Sequence, residues 1–290
     1  MSFSIITDST SNLKSSFLNL NGIKIIEMPY FINGREFTCA EIESFNDADY
    51  YEKIKEGTLV TTSQINPQQV TDAFEEELKK GMDIIFIGLS SGLSGSFKSA
   101  QIAKAELEEK YPHRKILLID SLGAALGIGL CVYFANKYRK KGFSAEETFE
   151  KVNIIRDRVY QVFIVDDLMH LKRTGRLSNV SAAVGCMLGI KPLLKGNSEG
   201  KIVVTGKIRG RKQAVSALAD KCIKLIKNTE VIGITYAGCE EDAVMLKKLI
   251  EDKLGKLKFI MEKHEPVTGS HIGPGALALY FVGDSNVRNM

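Results

Sequence analysis

Apolar, isoleucine-rich segments alternate with amphipathic helical patterns along the first half of the chain, and this alternation limits the fold more than any other feature. The segments that are bounded by polar turns and predicted to be strands are FSIITDS, IKIIEMP, DIIFIGL and KILLIDS. Strands that are apolar throughout and alternate with helices are typical of a parallel sheet covered on both faces. The N-terminal part is therefore predicted to be a parallel-sheet α/β sandwich.

Helix boundary signals agree with this interpretation. Asn66 is a suitable N-cap, Pro67 suits the first helical position, and Gly81 ends the helical pattern that follows them. A capping box formed by Ser144 and Glu147 begins another helix. Because ligands bind at the carboxyl ends of the strands in parallel sheets, the polar loops TDST, SSGLS and DS, which follow three of the strands, are expected on one rim.

The pattern changes near residue 152. QVFIVDD is predicted to be a strand, DDLMHLKR a short helix and SAAVGCMLG a helix of small residues. A hairpin is indicated around Asn197–Gly200, and a hairpin requires antiparallel pairing. The strand EVIGITYA, helices over 211–228 and 240–255, and a final strand GALALYFVG complete the chain.

These patterns predict an α/β protein of two domains. The N-terminal α/β domain spans residues 1–152. A C-terminal α/β domain with a mixed, partly antiparallel sheet spans residues 153–290. The length of 290 residues is sufficient for two domains of ordinary size.

Charge and composition exclude several classes of function. The 39 lysines and arginines against 35 aspartates and glutamates leave a net charge of +4, which is small for a dedicated nucleic-acid-binding protein. The longest uncharged apolar run, Ala124–Ala135, is too short to span a bilayer, and from the residues after Met1 we expect no signal peptide. The cysteines form no C-x-x-C pair, so neither a disulfide framework nor a zinc site is indicated. We expect a cytoplasmic protein that binds neither nucleic acid nor metal.

The segment LSSGLSGSFKSA, from Leu89 to Ala100, combines four serines and two glycines over Ser90–Ser96, between a strand and a helix. Such a turn presents backbone N–H groups and hydroxyls to an anion. The chain contains no GxxxxGK[ST] motif and no GxGxxG after a strand, so nucleotide binding by those motifs is not indicated. A carboxylate fits this turn as well as a phosphate does.

A serine hydrolase is the alternative interpretation of the same segment. Residues Gly88–Gly92 match G-x-S-x-G, and Ser90, Asp120 and His271 follow the chain order of an α/β-hydrolase triad. A nucleophile elbow passes directly into its helix, whereas a second turn, Leu93–Gly95, intervenes here. The segment is therefore interpreted as an anion-holding turn, with the esterase as the competing hypothesis.

Histidines and cationic segments supply the remaining candidates. No H-x-x-x-H or HExxH motif is present, so the histidines indicate no metal site. His271 lies in VTGSHIGPGALAL, where glycines and a proline would fix a turn and aim the side chain; a turn histidine bonded to the backbone is the alternative. Two basic segments, HLKRTGRLSN and KIRGRK, contain Arg176 and Arg209, and solvated charged faces are their alternative interpretation.

Eight motifs together suggest a known family. In chain order they are ITDSTSNL (6–13), TTSQINP (61–67), SSGLSGSFKSA (90–100), IDSLGAALGIG (119–129), VDDLMHLKRTGRLS (165–178), GIKPLL (189–194), IRGRK (208–212) and SHIGPGALAL (270–279). In these motifs and in their order the chain resembles the DegV family, and the resemblance covers almost its whole length.

The resemblance implies a two-domain α/β protein that binds a long-chain fatty acid and presents it to a fatty acid kinase, feeding phospholipid synthesis. It implies a carrier with no catalysis of its own and no cofactor, which is compatible with transient contact at a membrane surface. Thr62 and Ser94 would bind the carboxylate, and His271 would share their hydrogen-bond network. Arg176 and Arg209 would lie near the carboxylate, where the kinase docks.

The chain departs from the family pattern at two motifs. Ile65 and Asn66 precede Pro67 where the family often has proline directly after TSQ, and Gly210 follows Arg209 where the family has threonine. Small-residue and apolar segments, SAAVGCMLGI, VFIVDD and ALALYFV, are candidate walls for the acyl chain, with plain core as the alternative. A kinase subunit that handles sugars or hydroxyketones and binds them covalently through the histidine is a third hypothesis.

Overall fold

The computed structural model describes residues 3–178, 189–285 and 287–289. Its strands are β1 (Phe3–Asp8), β2 (Ile23–Ile26), β3 (Tyr30–Ile32), β4 (Arg35–Phe37), β5 (Val60–Thr62), β6 (Asp83–Gly88), β7 (Ile116–Asp120), β8 (Val159–Ile164), β9 (Ile190–Gly196), β10 (Ile202–Arg209), β11 (Asn228–Tyr236), β12 (Phe259–Lys263) and β13 (Leu277–Val282). Its α-helices are α1 (Ser15–Leu20), α2 (Asp47–Lys55), α3 (Pro67–Lys79), α4 (Ser96–Lys110), α5 (Leu126–Lys140), α6 (Ala145–Arg158), α7 (Leu168–Arg173), α8 (Arg211–Leu225), α9 (Glu240–Leu254) and α10 (Pro266–Ile272).

The chain forms two compact units, and each is discontinuous in sequence. Unit 1 consists of residues 1–45 and 61–156, and unit 2 consists of residues 46–60 and 157–290. The division into domains 1–152 and 153–290 remains a prediction. The compact units differ from them chiefly at 46–60, which lies in unit 2. None of the described helices combines the length and the apolar character needed to cross a membrane.

The main sheet of unit 1 is parallel, as the apolar strands predicted. Its order is β2-β1-β6-β7, and every pairing in it is parallel. All six residues of β1 and all six of β6 are buried, so both faces of these strands are covered. Helix α3 packs against α4, and α5 packs against β1 and β6. A small three-stranded sheet, in the order β4-β3-β5, completes the strands of this unit.

The helix boundaries predicted from capping patterns are confirmed. Asn66 accepts a hydrogen bond from the Gln69 N–H, and the Gln69 side chain accepts one from the Asn66 N–H, both across 2.9 Å. Ser144 and Glu147 form the second capping box in the same reciprocal manner. Each box satisfies backbone donors that the first turn of a helix leaves without partners.

Unit 2 is built on a mixed sheet, as predicted. Its order is β10-β9-β8-β13-β11-β12; the pair β11 and β12 is parallel, and the other neighbours are antiparallel. The predicted hairpin joins β9 to β10, and the Asn197 N–H donates to the Lys201 carbonyl at its turn. The α/β class with one parallel and one mixed sheet is therefore confirmed.

Helix α2 belongs to unit 2 because two adjacent tyrosines attach it to the start of α10. The Tyr50 hydroxyl donates to the Pro266 carbonyl, and the Tyr51 hydroxyl donates to the His264 carbonyl, each across 2.8 Å. Both tyrosines are buried. A segment from the N-terminal half of the sequence thus packs with elements made near the C-terminus.

Part of the C-terminal prediction falls outside the described residues. Residues 181–188 of the small-residue segment, including Cys186, are not described. The other two candidate walls are described, and Val162, Ile164, Leu279 and Phe281 from them pack in the hydrophobic core of unit 2. That packing agrees with the core interpretation of these strands.

Candidate functional site

The carboxyl ends of three neighbouring strands form a polar rim in unit 1. Asp8 ends β1, Gly88 ends β6 and Asp120 ends β7, and β6 lies between the other two strands. The serine-rich turn follows β6, so it begins between two carboxylates. The sequence predicted this rim, since each loop there starts with hydroxyl or acidic residues.

Asp8 holds the first residue of the serine-rich turn. Its Oδ2 accepts a hydrogen bond from the Leu89 N–H across 2.9 Å, while Oδ1 accepts one from the Thr10 N–H across 2.9 Å and another from the Thr10 hydroxyl. Asp8 is fully buried. Burial raises the pKa of the Asp8 carboxyl, and these three donors act in the opposite direction.

Asp120 holds the same turn from the other side. Its carboxylate accepts hydrogen bonds from the N–H of Ser91, at 3.2 Å, and of Leu122, at 3.0 Å. Between the two held residues, the Ser90 N–H donates to the Gly123 carbonyl across 3.0 Å. Three consecutive backbone N–H groups are therefore bonded to two segments, the end of β1 and the residues 120–123 at and after the end of β7, and this fixes where the turn leaves the sheet.

Ser94 lies at the far end of this turn, just before α4. Its N–H donates to the Ser90 carbonyl across 3.1 Å, and its Oγ accepts from the Ser96 N–H across 3.2 Å. The hydroxyls of Ser94 and Ser96 are 2.9 Å apart, and Ser96 Oγ also accepts from the Ile65 N–H. When Ser96 donates to Ser94, both lone pairs of Ser94 are occupied and its own proton is available to a ligand.

The segment that carries Thr62 contacts the turn that carries Ser94. Ile65 bonds to Ser96, and the side chain of Gln64 occupies the space beside Gly95, where a Cβ would overlap it. Thr62 and Ser94 are both half-buried. The fifteen-residue helix α4 begins here, and its dipole favours negative charge near its first turn. Unit 1 thus brings together the two segments whose hydroxyls were predicted to bind a carboxylate.

His271 lies in the last turn of α10, in unit 2, rather than in the irregular turn predicted from its neighbours. The helix ends at Gly273, whose φ of 81° suits a glycine. The pKa of His271 is lowered to about 4. Burial is the largest cause, and the nearby charges of Arg176 and His170 act in the same direction. At neutral pH the ring is uncharged and carries one N–H, so it can donate a hydrogen bond without burying a cation.

Arg176 and His170 share the surroundings of His271. His170 Nε2 lies 2.6 Å from the Ser270 carbonyl, and Arg176 donates to the Thr174 carbonyl across 2.6 Å. The predicted partner-binding residue Arg176 therefore lies within electrostatic range of the predicted carboxylate ligand His271.

The second basic segment divides into two parts. Arg209, at the end of β10, is exposed, and Gly210 after it has a φ of 89°. A glycine adopts a positive φ readily, so the glycine that stands here in place of the family's threonine fits this backbone conformation. Arg211 instead forms ion pairs with Asp166 and Asp242, so it connects elements of unit 2.

The serine hydrolase hypothesis finds no support in the backbone of Ser90. Among the described residues, the non-glycine positions with positive φ are Asn12, Asn33, Leu122 and Ala125. Ser90 therefore lacks the strained conformation of a nucleophile elbow. Its Oγ accepts a hydrogen bond from the Gly92 N–H across 3.1 Å, as in an ordinary serine turn. Over the described part of the chain, no group of three or more potential metal ligands is present.

Comparison with known proteins gives consistent matches over the whole chain. A family model described as an uncharacterised protein, DegV family, matches residues 2–284. A DegV domain-containing protein of Clostridium perfringens is 36% identical over 285 residues, which cover 98% of each chain.

Solved structures match over the same length. The structure of a fatty acid binding DegV family protein from Streptococcus agalactiae has a TM-score of 0.86 at 27% identity, and the match covers 98% of this chain and 99% of that one. The Fatty Acid Kinase B3 protein of Streptococcus pneumoniae, loaded with linoleic acid, has a TM-score of 0.84 at 22% identity, with 98% and 100% covered. At 22% identity the likeness shows the fold alone.

Proposed function

Because the chain belongs to the DegV family, we propose that it binds a long-chain fatty acid and presents the carboxylate to a fatty acid kinase for acyl-phosphate formation. The Streptococcus agalactiae relative is a fatty acid binding protein, which supports the first part. The Streptococcus pneumoniae protein of the same fold is a fatty acid kinase B3 protein, which supports the second part. In this proposal the chain is a carrier with no catalysis of its own, and the product feeds phospholipid synthesis in the cytoplasm.

The carboxylate ligands proposed are Thr62, Ser94 and His271. The observation that carries the proposal is the geometry around Ser94. Its Oγ accepts from the Ser96 N–H, and when it also accepts from the Ser96 hydroxyl its own proton is available to a ligand beside the N-terminus of α4. Contact between the Thr62 and Ser94 segments within unit 1 supports their joint action. Two hydroxyls and one neutral imidazole can donate hydrogen bonds to an anion with no strong cation beneath it.

The acyl chain supplies most of the affinity. Burying a methylene group is worth about 0.8 kcal/mol, so about fifteen of them contribute on the order of 12 kcal/mol before costs. Ordering the ligand and losing its translational freedom reduce this by several kcal/mol. The polar groups contribute a smaller part of the affinity, and they determine which end of the ligand is presented.

Arg176 and Arg209 are the proposed contacts with the kinase. Arg209 is exposed at the end of an edge strand, and Arg176 lies within electrostatic range of His271. Guanidinium groups in these positions suit acidic residues of a partner or the phosphate that the kinase transfers. Transient contact with a membrane surface is compatible with this arrangement.

The test is the chemical identity of any ligand that copurifies with the protein. Protein from bacterial expression is extracted with organic solvent, and the extract is examined by mass spectrometry. We expect one or a few long-chain fatty acids at close to one per chain. A well-folded protein that yields no lipid, and that does not bind palmitic or oleic acid after being offered them, would contradict the proposal.

A further inference from the structure

A chain of buried hydrogen-bonded side chains crosses unit 2 from β13 to the start of α10. The Tyr280 hydroxyl lies 3.1 Å from Thr235 Oγ1, which lies 2.8 Å from His264 Nδ1. His264 Nε2 lies 2.7 Å from Thr268 Oγ1, and the Thr268 hydroxyl donates to Glu265. Each of these five side chains is at most 9% exposed. We call them the α10 chain.

The protons of the α10 chain can be assigned from its acidic end. The Glu265 carboxylate only accepts, so Thr268 donates to it, and Thr268 Oγ1 must then accept from an N–H on Nε2 of His264. The other ring nitrogen of a neutral histidine is an acceptor, so Thr235 donates to Nδ1. Tyr280 in turn donates to Thr235. Every link therefore points in one direction, towards Glu265.

His264 is suited to this place because it stays neutral. Burial lowers its pKa to about 3. Its backbone is also bonded on both sides, since its N–H donates to the Tyr236 carbonyl and its carbonyl accepts from Tyr51. Both ring nitrogens and both backbone groups of this residue have partners, so the ring has one orientation.

The α10 chain ends on the residue that caps α10. Glu265 Oε2 accepts from the Val267 N–H across 2.6 Å, and Oε1 accepts from the Thr268 N–H across 2.8 Å. Tyr51 lies against Gly269, where a Cβ would overlap its hydroxyl. This seven-residue helix is too short to be stable alone, so these contacts determine its direction.

The same helix carries His271. Thr268 and His271 are three positions apart, which places them on neighbouring parts of one helix surface. A rotation of α10 that broke the link between His264 and Thr268 would turn the imidazole of His271 as well. The α10 chain and His271 are thus mechanically joined through less than one turn of helix.

We infer that the α10 chain positions His271 for the carboxylate, with His264, Thr268 and Thr235 as positioning residues that do not touch the ligand. This inference rests on the proposed function. Fully satisfied buried polar networks rigidify the groups they connect, and a half-satisfied one is costly, so removal of a single hydroxyl releases the helix.

The closing experiment uses matched substitutions that differ by one hydroxyl. Thr268→Val keeps the shape of the side chain and removes Oγ1, whereas Thr268→Ser keeps the oxygen. The dissociation constant for oleic acid is measured on delipidated full-length protein. We expect about a tenfold weaker binding in Thr268→Val and a change within about twofold in Thr268→Ser. If Thr268→Val does not fold, Thr235→Val and Thr235→Ser provide the same comparison at the hydroxyl that donates to His264 Nδ1.

A second measurement needs no substitution. Nitrogen NMR of labelled histidine in the native protein identifies which ring nitrogen of His264 carries the proton, and we expect Nε2. A proton on Nδ1 would overturn the directed chain. Equal affinity in the valine and serine variants, with weaker binding in His271→Ala, would overturn the inference alone. Unchanged binding in His271→Ala would overturn the proposed role of His271, and the inference with it.

Discussion

The Leu89 N–H donates to Asp8 Oδ2 across 2.9 Å, which joins the end of β1 to the residue that follows β6. The bond is buried, and the carboxylate that accepts it also accepts from Thr10. The position of the serine-rich turn therefore depends on a carboxylate that holds it through the backbone N–H of a leucine. Asp8 is part of the support of the site, although the sequence indicated only that an acid lies on the rim.

Asp8→Asn is expected to destabilise unit 1. One oxygen can still accept from Thr10, but the amide then places N–H groups against the Leu89 N–H, and a buried donor is left without an acceptor. The free energy of unfolding should fall by about 1–3 kcal/mol, measured by urea denaturation. Asp120→Asn is the control. Because Asp120 is only half-buried, this substitution should lower the free energy of unfolding by less. Equal costs for the two variants would contradict the role given to Asp8.

Gly95→Ala is expected to loosen the contact between the two segments that carry Thr62 and Ser94 by displacing the side chain of Gln64. A methyl group at residue 95 would overlap the carboxamide of Gln64, so this exposed side chain must move away from the turn. The affinity for fatty acid should fall several-fold, as measured by displacement of a fluorescent fatty acid. Gln64→Ala combined with Gly95→Ala removes the overlap and should recover part of the loss. A double variant as weak as Gly95→Ala would show that the overlap is not the cause.

Ser94→Ala is expected to weaken fatty acid binding with little effect on folding. Ser94 is half-buried, and its hydroxyl donates to the ligand in the proposed site, so its loss should cost about 1 kcal/mol, or roughly fivefold in affinity. Phosphorylation of the bound acid by the kinase should fall at least as much. Ser91→Ala, at an exposed position of the same turn, is the matched control and should bind normally. A comparable loss of affinity in both variants would contradict the proposal that Ser94 binds the carboxylate.

The stability of the protein is expected to fall in mild acid because two histidines are held neutral. Burial keeps the pKa of His264 at about 3, and burial with nearby positive charge keeps that of His271 at about 4. In the unfolded chain both titrate near pH 6.5, so below this pH the unfolded state binds protons that the folded state does not. The free energy of unfolding should therefore decrease between pH 6.5 and 4, by up to about 1.4 kcal/mol per pH unit for each histidine.

Urea denaturation at several pH values measures this slope. His271→Gln removes one titrating group and should flatten the dependence relative to the unsubstituted protein. His113→Gln is a control at a solvent-exposed position and should leave the slope unchanged. The same slope in His271→Gln and the unsubstituted protein would mean that His271 titrates normally when folded.

The parallel sheet of unit 1 could be predicted because burial of both faces leaves its strands apolar at every position. The strands β3, β4 and β5 could not be predicted, since each has three residues and so gives no periodicity to detect. Among them is β5, which ends at Thr62. The site residue was found through its motif rather than through its secondary structure.

Helix α10 shows a second limit. Its sequence, PVTGSHI, contains a proline and a glycine and resembles a turn. Proline is tolerated at the first helical position, Glu265 supplies the cap, and Gly269 is required because Tyr51 lies against the helix. The last of these reasons involves a residue that only the fold brings to the helix, so local pattern could not reveal it.

Tyr50 bonds to a residue 216 positions further along the chain. During synthesis on the ribosome, α2 emerges early. The residues it packs against, His264 and Pro266, are added only when almost the entire polypeptide has been made. Unit 2 therefore cannot be completed stepwise from the N-terminus, and a truncated product ending near residue 152 would display two bulky aromatic side chains to solvent. Any attempt to express the halves separately should transplant residues 46–60 to the C-terminal fragment.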